Sequence, residues 1–405
     1  MEFLVHPVPK DTLSDLPVTG IGGVIIGGDF QGLGIIRSLG RQGIRTCVID
    51  DEHSIARYSC YATHSVRVKD LKNEQETLDA VINVGRQLRL KGWVLYPTRD
   101  ETVATFSRHR ALLSEHFRVP TPSWDSVQWA WDKRNTYTFA NSLGIPTPRT
   151  WFPESTKDLE CINKGFPLVI KPAIKEHFIY QTKAKAWRVD NRNDLTRLFE
   201  AAAALVPAGE IMVQDLIPGG SEKMFGYCAF FKNGAAVASM VTQYKRQHPP
   251  QFGRSCTLVE TIELPEVENL AHRFLRATDY YGLAELEFKL DPRDGEYKLL
   301  DVNARNWGYH SLGAVAGVDF SRMLFDDQVG KTVQPAKARP GVSWIRLITD
   351  IPTAMTAVLR RQLGPWSYWK SVTNFDTESV FSFDDPLPSI AEVALIPYLA
   401  YKRGL

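Results

Sequence analysis

The hydrophobic positions in the first third of the chain alternate between short apolar runs and segments with helical spacing. The runs GGVIIGG (22–28) and WVLYPTRDE (93–101) have the length and composition of buried strands. Residues 29–43 and 102–117 repeat their apolar positions every three or four residues, which predicts helices. Strands that alternate with helices predict a doubly wound parallel sheet, and thus a Rossmann-like domain over 21–120.

The pattern changes in the remainder of the chain. A Pro-punctuated linker at 119–127 precedes a predicted helix over 130–144, which Gly144 and two prolines end. Beyond it, FPLVIKPA (166–173) and FGYCAFFKNGAAVASMVTQYK (225–245) predict strands and hairpins, separated by further helical segments. This mixture predicts an α+β region after the parallel domain.

Composition narrows the class of protein. Of the 405 residues, 44% are hydrophobic and 23% are charged, which fits two or three globular domains. The formal net charge of +2 gives no argument for a nucleic-acid or anionic-membrane partner, and no apolar run is long enough to cross a bilayer. The five cysteines are scattered and the N-terminus lacks a signal-peptide pattern, so we expect a cytoplasmic protein.

Two acidic strands late in the chain carry the strongest chemical signal. Glu287 lies in the apolar run AELEFKL, and Asp301 and Asn303 lie in LLDVNAR, with the turn DPRDGE between them. This pattern predicts a β-hairpin that brings the three side chains to one face. Their hard oxygen atoms suit Mg²⁺, which bridges nucleotide phosphates, and Arg305 would face the same centre. The alternative is an exposed hairpin with charged cross-strand pairs, which the apolar neighbours argue against.

Two lysines are candidates for phosphate contacts. Lys171 ends the apolar strand PLVIKPA, where a compact charge could reach a phosphate, although a lysine in a half-buried strand usually extends to solvent. Lys133 in WDKRN is similarly ambiguous, because a single lysine on a helix is usually solvated. Each lysine alone is therefore a weak signal.

The segment VQDLIPGG (213–220) joins an apolar strand to a Pro-Gly-Gly break. An adenine ring needs a backbone acceptor, a backbone N–H donor and flat apolar walls, and an extended hinge between two lobes supplies all of them. Glu222, just after the break, is a candidate acceptor for ribose hydroxyls. Taken alone, the segment favours a plain strand followed by a turn.

The glycine-rich segment GGDFQGLG (27–34) follows a strand and begins a helix, as anion-binding loops do. It departs from the dinucleotide fingerprint because Asp and Phe occupy positions 29 and 30. We therefore predict a tight strand-to-helix turn, and a small-substrate role stays open. Arg99 in PTRDE is either a partner for a substrate carboxylate or part of a capped helix start, with equal weight.

In this order, the motifs resemble the ATP-grasp superfamily of carboxylate–amine ligases. Lys133, IPTP, VIKP, VQDLIPGG, ELEF and DVNAR match that family over about 120–335, and the D-aspartate ligase-like proteins have the most similar pattern. Each motif is generic, whereas the ordered set is specific. The resemblance implies that Lys133 and Lys171 bind phosphate and that Arg305 is catalytic. It implies that the adenine hinge consists of Gln214, Asp215, Leu216 and Ile217, and that Glu222 binds the ribose. The implied metal ligands are Glu287, Asp301 and Asn303.

Three departures from the family pattern bear on the site. Gln214 replaces an acid that is common at the hinge, which costs little if only its carbonyl is used. Asp301 stands where glutamate is frequent, which shortens the reach of one metal ligand. The segment 174–186 lacks the glycines of the usual phosphate-covering loop. We expect a flexible loop there, in which Lys185 supplies the charge, with Lys183 and His177 as alternatives.

The resemblance implies an ATP- and Mg²⁺-dependent ligase that activates a carboxylate as an acylphosphate and joins it to an amine. One or two metal ions are expected, with Mn²⁺ as an alternative. The substrates would be small molecules, amino acids among them, and a homodimer is one option for assembly. Two other functions stay open: a non-catalytic or regulatory ATP-binding protein, and an ATP-grasp carboxylase, thioester-forming ligase or kinase.

The implied fold class is α/β and α+β, with a Rossmann-like parallel-sheet domain before a two-lobed ATP-grasp fold. The predicted domains are an N-terminal arm at 1–20, an α/β domain at 21–120, an ATP-grasp domain at 121–335 and a C-terminal helical extension at 336–405. Within the ATP-grasp domain, the small lobe is predicted at about 150–220 and the large lobe at about 221–335.

Overall fold

The computed structural model describes residues 20–162 and 165–403, and the side chain of residue 403 is left out. The predicted N-terminal arm at 1–20 therefore lies, except for its last residue, outside the described residues. The described chain forms three β-sheets with helices packed around them.

The first unit is a sheet of four parallel strands. Its elements are β1 (Gly23–Ile26), β2 (Thr46–Asp50), β3 (His64–Arg67) and β4 (Val94–Pro97), with the helices α1 (Phe30–Gly40), α2 (Glu74–Gln87), α3 (Asp100–Arg108) and α4 (Arg110–Ser114). The strand order is β3-β2-β1-β4, and the predicted parallel domain is confirmed. Alternate residues of β1 face different cores: Val24 and Ile26 pack with α2, whereas Ile25 packs in a core shared with the large sheet. The strand is therefore apolar on both faces, as parallel sheets require.

Two helices, α5 (Trp124–Trp131) and α6 (Lys133–Ser142), lead from this unit to the next. The sequence predicted a linker at 119–127 and a single helix over 130–144. The helix is interrupted at Asp132, whose side chain accepts a hydrogen bond from the backbone N–H of Arg134 (2.9 Å). This cap makes Lys133 the first residue of α6.

A small antiparallel sheet follows. Its elements are β5 (Thr150–Trp151), β6 (Leu168–Pro172), α7 (Lys175–Thr182), β7 (Trp187–Val189), α8 (Arg192–Ala203) and β8 (Ile211–Asp215). The strand order is β5-β8-β6-β7, and the apolar residues of β6 and β8 pack against α8 around Phe199. Lys171 is the fourth residue of β6, and it is half-buried between buried neighbours.

The large sheet contains eight of the described strands. Its elements are β9 (Met224–Lys232), β10 (Ala235–His248), β11 (Ser255–Ile262), α9 (Pro265–Ala277), β12 (Gly282–Leu290), β13 (Tyr297–Asn303), α10 (Ser311–Val315), α11 (Phe320–Gln328), β14 (Ala336–Lys337), β15 (Ser343–Ile345) and, later in the chain, β16 (Thr377–Glu378). The order is β13-β12-β9-β10-β11-β15-β16, with β14 beside β10. Asn233 and Gly234 join β9 to β10 with positive φ angles of 53° and 73°, the conformation of a two-residue hairpin turn.

The last part of the chain adds strands as well as helices. Its helices are α12 (Leu347–Leu359), α13 (Pro365–Thr373), α14 (Leu387–Ala394) and α15 (Ile396–Arg403). This segment is tied to the first unit, because the buried guanidinium of Arg37 on α1 pairs with Asp385 (2.9 Å). No helix among the described residues combines the length and apolarity needed to span a bilayer.

Candidate active site

A cavity of about 950 Å³ separates the small sheet from the large sheet. Its volume lies at the upper end of the range for sites that enclose a small-molecule ligand. Strands β6 and β8 contribute one wall, and β12 and β13 contribute the opposite wall. Eleven of the twelve predicted site residues line it: Lys133, Lys171, Lys185, Gln214, Asp215, Leu216, Ile217, Glu287, Asp301, Asn303 and Arg305.

The hairpin β12–β13 brings the predicted acidic residues together. Glu287 is the cross-strand partner of Asp301, and Glu285 is the partner of Asn303. The Nδ2 group of Asn303 donates hydrogen bonds to Glu285 Oε2 (3.0 Å) and Glu287 Oε1 (3.3 Å). Residues two apart on a strand share a face, so the alternation in AELEF already placed Glu285 beside Glu287. Glu285 was not among the predicted site residues.

Two of the predicted lysines, Lys133 and Lys185, lie near Asp301. The ammonium group of Lys133 contacts the Asp301 carboxylate directly, and both side chains are largely buried. Burial alone would raise the pKa of Asp301, but the charges of Lys133, Lys175 and Lys185 outweigh it and lower that pKa. Lys171 donates a hydrogen bond to the hydroxyl of Tyr137 (2.5 Å). Cations from the starts of α6 and α7 and from the segment after α7 thus converge beside one carboxylate.

A second ion cluster joins the first unit to the cavity. Asp100, the first residue of α3, accepts hydrogen bonds from Arg305 Nε (2.5 Å) and Nη2 (3.1 Å) and also contacts the ammonium of Lys175. Burial opposes ionisation of Asp100, but Arg305 and then Lys175 hold its pKa far below the ordinary value. Arg305 also donates to Asn303 Oδ1 (3.1 Å). Asp100 and Lys175 were not predicted as site residues.

Helix α7 occupies the place where the sequence predicted a flexible loop over 174–186. It spans Lys175–Thr182, and the next residue, Lys183, adopts a left-handed conformation (φ 55°). Tyr180 donates a hydrogen bond to Glu101 of α3 (2.5 Å), and His177 contacts Glu210 (2.7 Å). The segment is thus helical over Lys175–Thr182 rather than a loop throughout, and contacts with residues distant in the chain, which the local pattern does not encode, hold it.

The predicted hinge follows strand β8. Pairing with β5 and β6 ends at Asp215, and the chain then continues along the cavity. The side chain of Gln214 donates a hydrogen bond to Thr150 Oγ1 (2.8 Å). A contact of this residue with an adenine ring would therefore use its backbone groups. Lys289 on β12 donates to the carbonyl oxygens of Ile217 (2.9 Å) and Gly219 (2.8 Å), and so fixes the hinge to the large sheet.

Glu222 is the one predicted site residue that does not line the cavity. It is exposed on a 3-10 turn (Ser221–Lys223), and its carboxylate accepts a hydrogen bond from the backbone N–H of Gly220 (3.0 Å). A ribose contact would require this side chain to turn inward.

The glycine-rich segment and Arg99 belong to the first unit. The carboxylate of Asp50 accepts a hydrogen bond from the Gly28 N–H (2.6 Å), and Phe30 lines the cavity. Arg99 pairs with Asp50 (2.8 Å) and Asp51 (2.7 Å), so the structure gives it two carboxylate partners within the protein. Its candidacy as a ligand of a substrate carboxylate is not supported.

The chain was compared with known proteins in sequence and in structure. No protein-family model matches the sequence. The D-aspartate ligase of Enterococcus faecium is 22% identical over 330 residues, which cover 76% of this chain and 76% of the relative. The biotin carboxylase domain of the Hydrogenobacter thermophilus 2-oxoglutarate carboxylase, solved with MgADP, ADP and bicarbonate, superposes with a TM-score of 0.64 at 14% identity, covering 80% of this chain and 74% of that one. The chain has the ATP-grasp fold.

Two further matches agree with this ATP-grasp assignment. The L-amino acid ligase of Bacillus licheniformis has a TM-score of 0.58 at 16% identity and covers 78% of both chains. The large chain of carbamoyl phosphate synthase from Methanothermobacter thermautotrophicus is 21% identical over 378 residues. That match covers 85% of this chain but only 34% of the longer relative. The predicted ATP-grasp fold is confirmed.

The acidic wall of this ATP-grasp cavity suits a divalent cation. Burial, and then the negative charge of Glu287, raise the pKa of Glu285 to about 8. A divalent cation beside this wall would favour the ionised form of that carboxyl group. The described residues contain no group of three His, Cys, Asp or Glu side chains in metal-ligand geometry. Mg²⁺ does not require one, because it commonly uses one or two carboxylates together with waters and phosphate oxygens. Glu287, Asp301 and Asn303 fit that requirement.

Proposed function

We propose that this chain is an ATP- and Mg²⁺-dependent ligase that joins a small-molecule carboxylate to an amine through an acylphosphate. The observation that carries the proposal is that one cavity is lined by converging cations, by the acidic hairpin β12–β13 and by the hinge Gln214–Ile217. A triphosphate needs cations along its tail, and an adenine ring needs a flat apolar slot with backbone hydrogen-bonding groups. The similarity to named amino acid ligases supports the same reaction class.

The proposed nucleotide position follows from the walls of the cavity. The adenine would lie against the hinge Gln214–Ile217, and the phosphates would extend toward Lys171, Lys133 and Lys185. One or two Mg²⁺ ions held by Glu287, Asp301 and Asn303 would neutralise phosphate charge. Lys133 would then exchange part of its contact with Asp301 for a phosphate oxygen.

The proposed chemistry has two steps. An oxygen of the substrate carboxylate attacks the γ-phosphorus, the bond to the β–γ bridging oxygen breaks, and ADP leaves. The amine nitrogen then attacks the acyl carbon, inorganic phosphate leaves, and the nitrogen loses a proton. Arg305 would stabilise the charge on the transferred phosphoryl group, and Lys175 on α7 faces the same end of the cavity. Helix α7 would keep water away from the acylphosphate.

The substrate class is the finer part of the proposal. Because the relatives named above include a D-aspartate ligase and an L-amino acid ligase, we propose an amino acid as the carboxylate substrate, the amine substrate, or both. D-Aspartate and its enantiomer are the first pair to compare. A preference for one enantiomer by at least about tenfold would indicate a shaped substrate pocket.

Phosphate release tests this proposal. The purified protein is incubated with ATP, Mg²⁺ and a matrix of carboxylates and amines that includes both enantiomers of the common amino acids, and products are identified by mass spectrometry. The proposal predicts ADP, phosphate and an amide in equal amounts for at least one pair. ATP binding with no turnover for any pair favours a regulatory protein. A thioester, a carboxylated product or a phosphorylated product favours another ATP-grasp chemistry.

The metal can be assigned in the same assay. We expect Mg²⁺ to support turnover and Mn²⁺ to substitute for it, because both prefer oxygen ligands. Chelation should abolish activity, and re-addition of Mg²⁺ should restore it. Activity that survives exhaustive chelation would remove the metal from the proposal.

A further inference from the structure

Exposed apolar side chains are concentrated at the C-terminal end of the described chain. Nineteen large hydrophobic residues are exposed among the described residues, and twelve of them lie between positions 351 and 401. Scattered exposed apolar residues need no explanation, but such a concentration indicates a surface that another molecule covers.

Five of these residues form what we call the α12–α13 surface. On α12, Ile351, Met355 and Leu359 recur every four residues and so share one side of the helix, with 44%, 57% and 82% of their surface exposed. After a connection of five residues, Trp366 and Trp369 on α13 are three apart and are 68% and 59% exposed. Two consecutive helices therefore present aliphatic and indole side chains to solvent.

The opposite side of this helix pair is fixed to the large sheet. The carboxylate of Asp350 is fully buried, and both of its oxygens accept hydrogen bonds from Arg246 of β10 (2.8 and 2.7 Å). Arg246 also donates to Ser371 (2.8 Å), and its guanidinium lies over the ring of Tyr368 (5.2 Å). The inward faces of α12 and α13 are thus occupied, and the exposed apolar residues are held outward.

The exposed charges within 347–373 have one sign. Arg360 and Arg361 are exposed in the connection between the two helices, and Lys370 is exposed on α13. Asp350 is the only acidic residue in 347–373, and Arg246 neutralises it in the interior. A surface that combines exposed aliphatic groups, tryptophan and cations is complementary to an anionic lipid bilayer, where indoles prefer the interfacial region and Lys and Arg contact headgroups.

A second copy of this chain is a less suitable occupant. The commonest dimers are two-fold symmetric, so the same patch meets itself across the contact. Such a contact through the α12–α13 surface would bring Arg360, Arg361 and Lys370 toward the same cations of the partner, with no exposed acid in 347–373 to compensate. The charge pattern therefore favours an anionic partner.

We propose that the α12–α13 surface docks this protein on the surface of an anionic lipid bilayer. The aliphatic residues and both tryptophans would enter the interfacial region, and the three cations would contact lipid headgroups. The net charge of the whole chain, +2, hides this local feature because it averages over the remaining surface. The cavity described above need not change when the surface docks.

Vesicle sedimentation tests the proposal with the full-length protein. We expect the protein to sediment with phosphatidylcholine vesicles that contain phosphatidylglycerol and to bind pure phosphatidylcholine at least about tenfold more weakly. Binding should fall as salt is raised, because the headgroup contacts are exposed. The double variant Trp366→Ser/Trp369→Ser and the double variant Arg360→Glu/Arg361→Glu should each weaken binding to the mixed vesicles by at least about tenfold.

A matched control uses another exposed apolar pair. The double variant Leu387→Ser/Ile390→Ser removes two apolar side chains of α14 that are 56% and 64% exposed, similar to the two tryptophans. The cations Arg360, Arg361 and Lys370 do not belong to α14. We expect this variant to bind mixed vesicles like the wild type, and circular dichroism should show all variants folded. No binding to the mixed vesicles, or an equal loss in the α14 variant, overturns the proposal. Light scattering that shows a dimer which only the tryptophan variant dissociates would identify a second copy as the occupant instead.

Discussion

The hairpin β12–β13 and the helix α7 face the same end of the cavity, but different interactions hold them in place. The hairpin is part of the large sheet, where backbone hydrogen bonds to neighbouring strands fix the direction of Glu285, Glu287 and Asn303. Helix α7 is attached to the first unit through side chains, chiefly Lys175 to Asp100 and Tyr180 to Glu101. The acidic wall is therefore set by local strand geometry, whereas the contact of its cover, α7, with the first unit depends on charges from a distant part of the chain.

The largest expected effect on turnover concerns the acidic wall of the cavity, which the hairpin β12–β13 forms. Glu287→Gln keeps the size of the side chain but removes a proposed metal ligand and its negative charge. We expect kcat of the ligase reaction to fall on the order of 10³-fold, because charge stabilisation of a phosphoryl group is lost. The thermal unfolding midpoint should stay close to that of the wild type, because the backbone ladder of β12 is unchanged.

Glu296→Gln is the matched control for that variant. Glu296 lies in the turn of the same hairpin and is exposed to solvent. Its variant should keep wild-type turnover. If Glu287→Gln also keeps wild-type turnover with Mg²⁺, the assignment of the acidic wall as the metal site is incorrect.

The second effect concerns the ion cluster that joins the cover to the first unit. Asp100→Asn leaves the largely buried Arg305 and Lys175 without their shared carboxylate, so we expect the free energy of unfolding at neutral pH to fall by about 3 kcal/mol. The pKa of Asp100 is lowered in the folded protein, so its contribution is complete above the ordinary aspartate pKa of about 4. Protonation at lower pH removes that contribution, and the difference between wild type and variant should shrink there.

Urea unfolding at several pH values measures this difference. Asp190→Asn serves as the control, because the Arg188–Asp190 pair (2.7 Å) has side chains that are 40% and 58% exposed. An exposed pair of this kind contributes less than about 1 kcal/mol. An Asp100→Asn variant as stable as Asp190→Asn would mean that the cover does not depend on this cluster.

The same contrast explains which parts of the site were predictable from the sequence. The position of Glu287 opposite Asp301 follows from strand alternation and the short turn DPRDGE, so the hairpin could be derived from local pattern. Glu285 obeys the same alternation, and counting two residues back from Glu287 identifies it. The two sheets and the parallel first unit follow from apolar periodicity in the same way.

Other residues carry no local signal of their role. Lys175 is one lysine in a polar segment, and Asp100 lies 75 positions earlier in the chain. Their contact exists only because three separate units pack together, which periodicity does not encode. The start of α6 at Lys133 similarly depends on the helix cap at Asp132. A single polar residue within a helical pattern does not indicate such a cap.

A third, smaller effect tests how the wall supports the hinge. Lys289→Met keeps a long side chain but removes the donor to the carbonyl oxygens of Ile217 and Gly219. We expect the KM for ATP to rise about tenfold with kcat little changed, because the hinge contacts the nucleotide equally in ground and transition states. Steady-state kinetics separate the two constants. A loss in kcat with unchanged KM would mean that Lys289 acts on the phosphates rather than on the hinge.

The smallest expected effect distinguishes the cover, α7, from the acidic wall, β12–β13. Tyr180→Phe removes one hydrogen bond to Glu101, and the tyrosine ring is 48% exposed, so global stability should change by less than about 1.5 kcal/mol. Amide hydrogen exchange should nevertheless become several-fold faster in α7, because local opening depends on local contacts. Exchange in β12 and β13 should not change. Tyr58→Phe, which alters a tyrosine of similar exposure (42%) away from α7, should leave both regions as they are. Equal acceleration in α7 and β12 would show that cover and wall open as one unit, which would contradict the distinction between a strand-fixed wall and a charge-held cover.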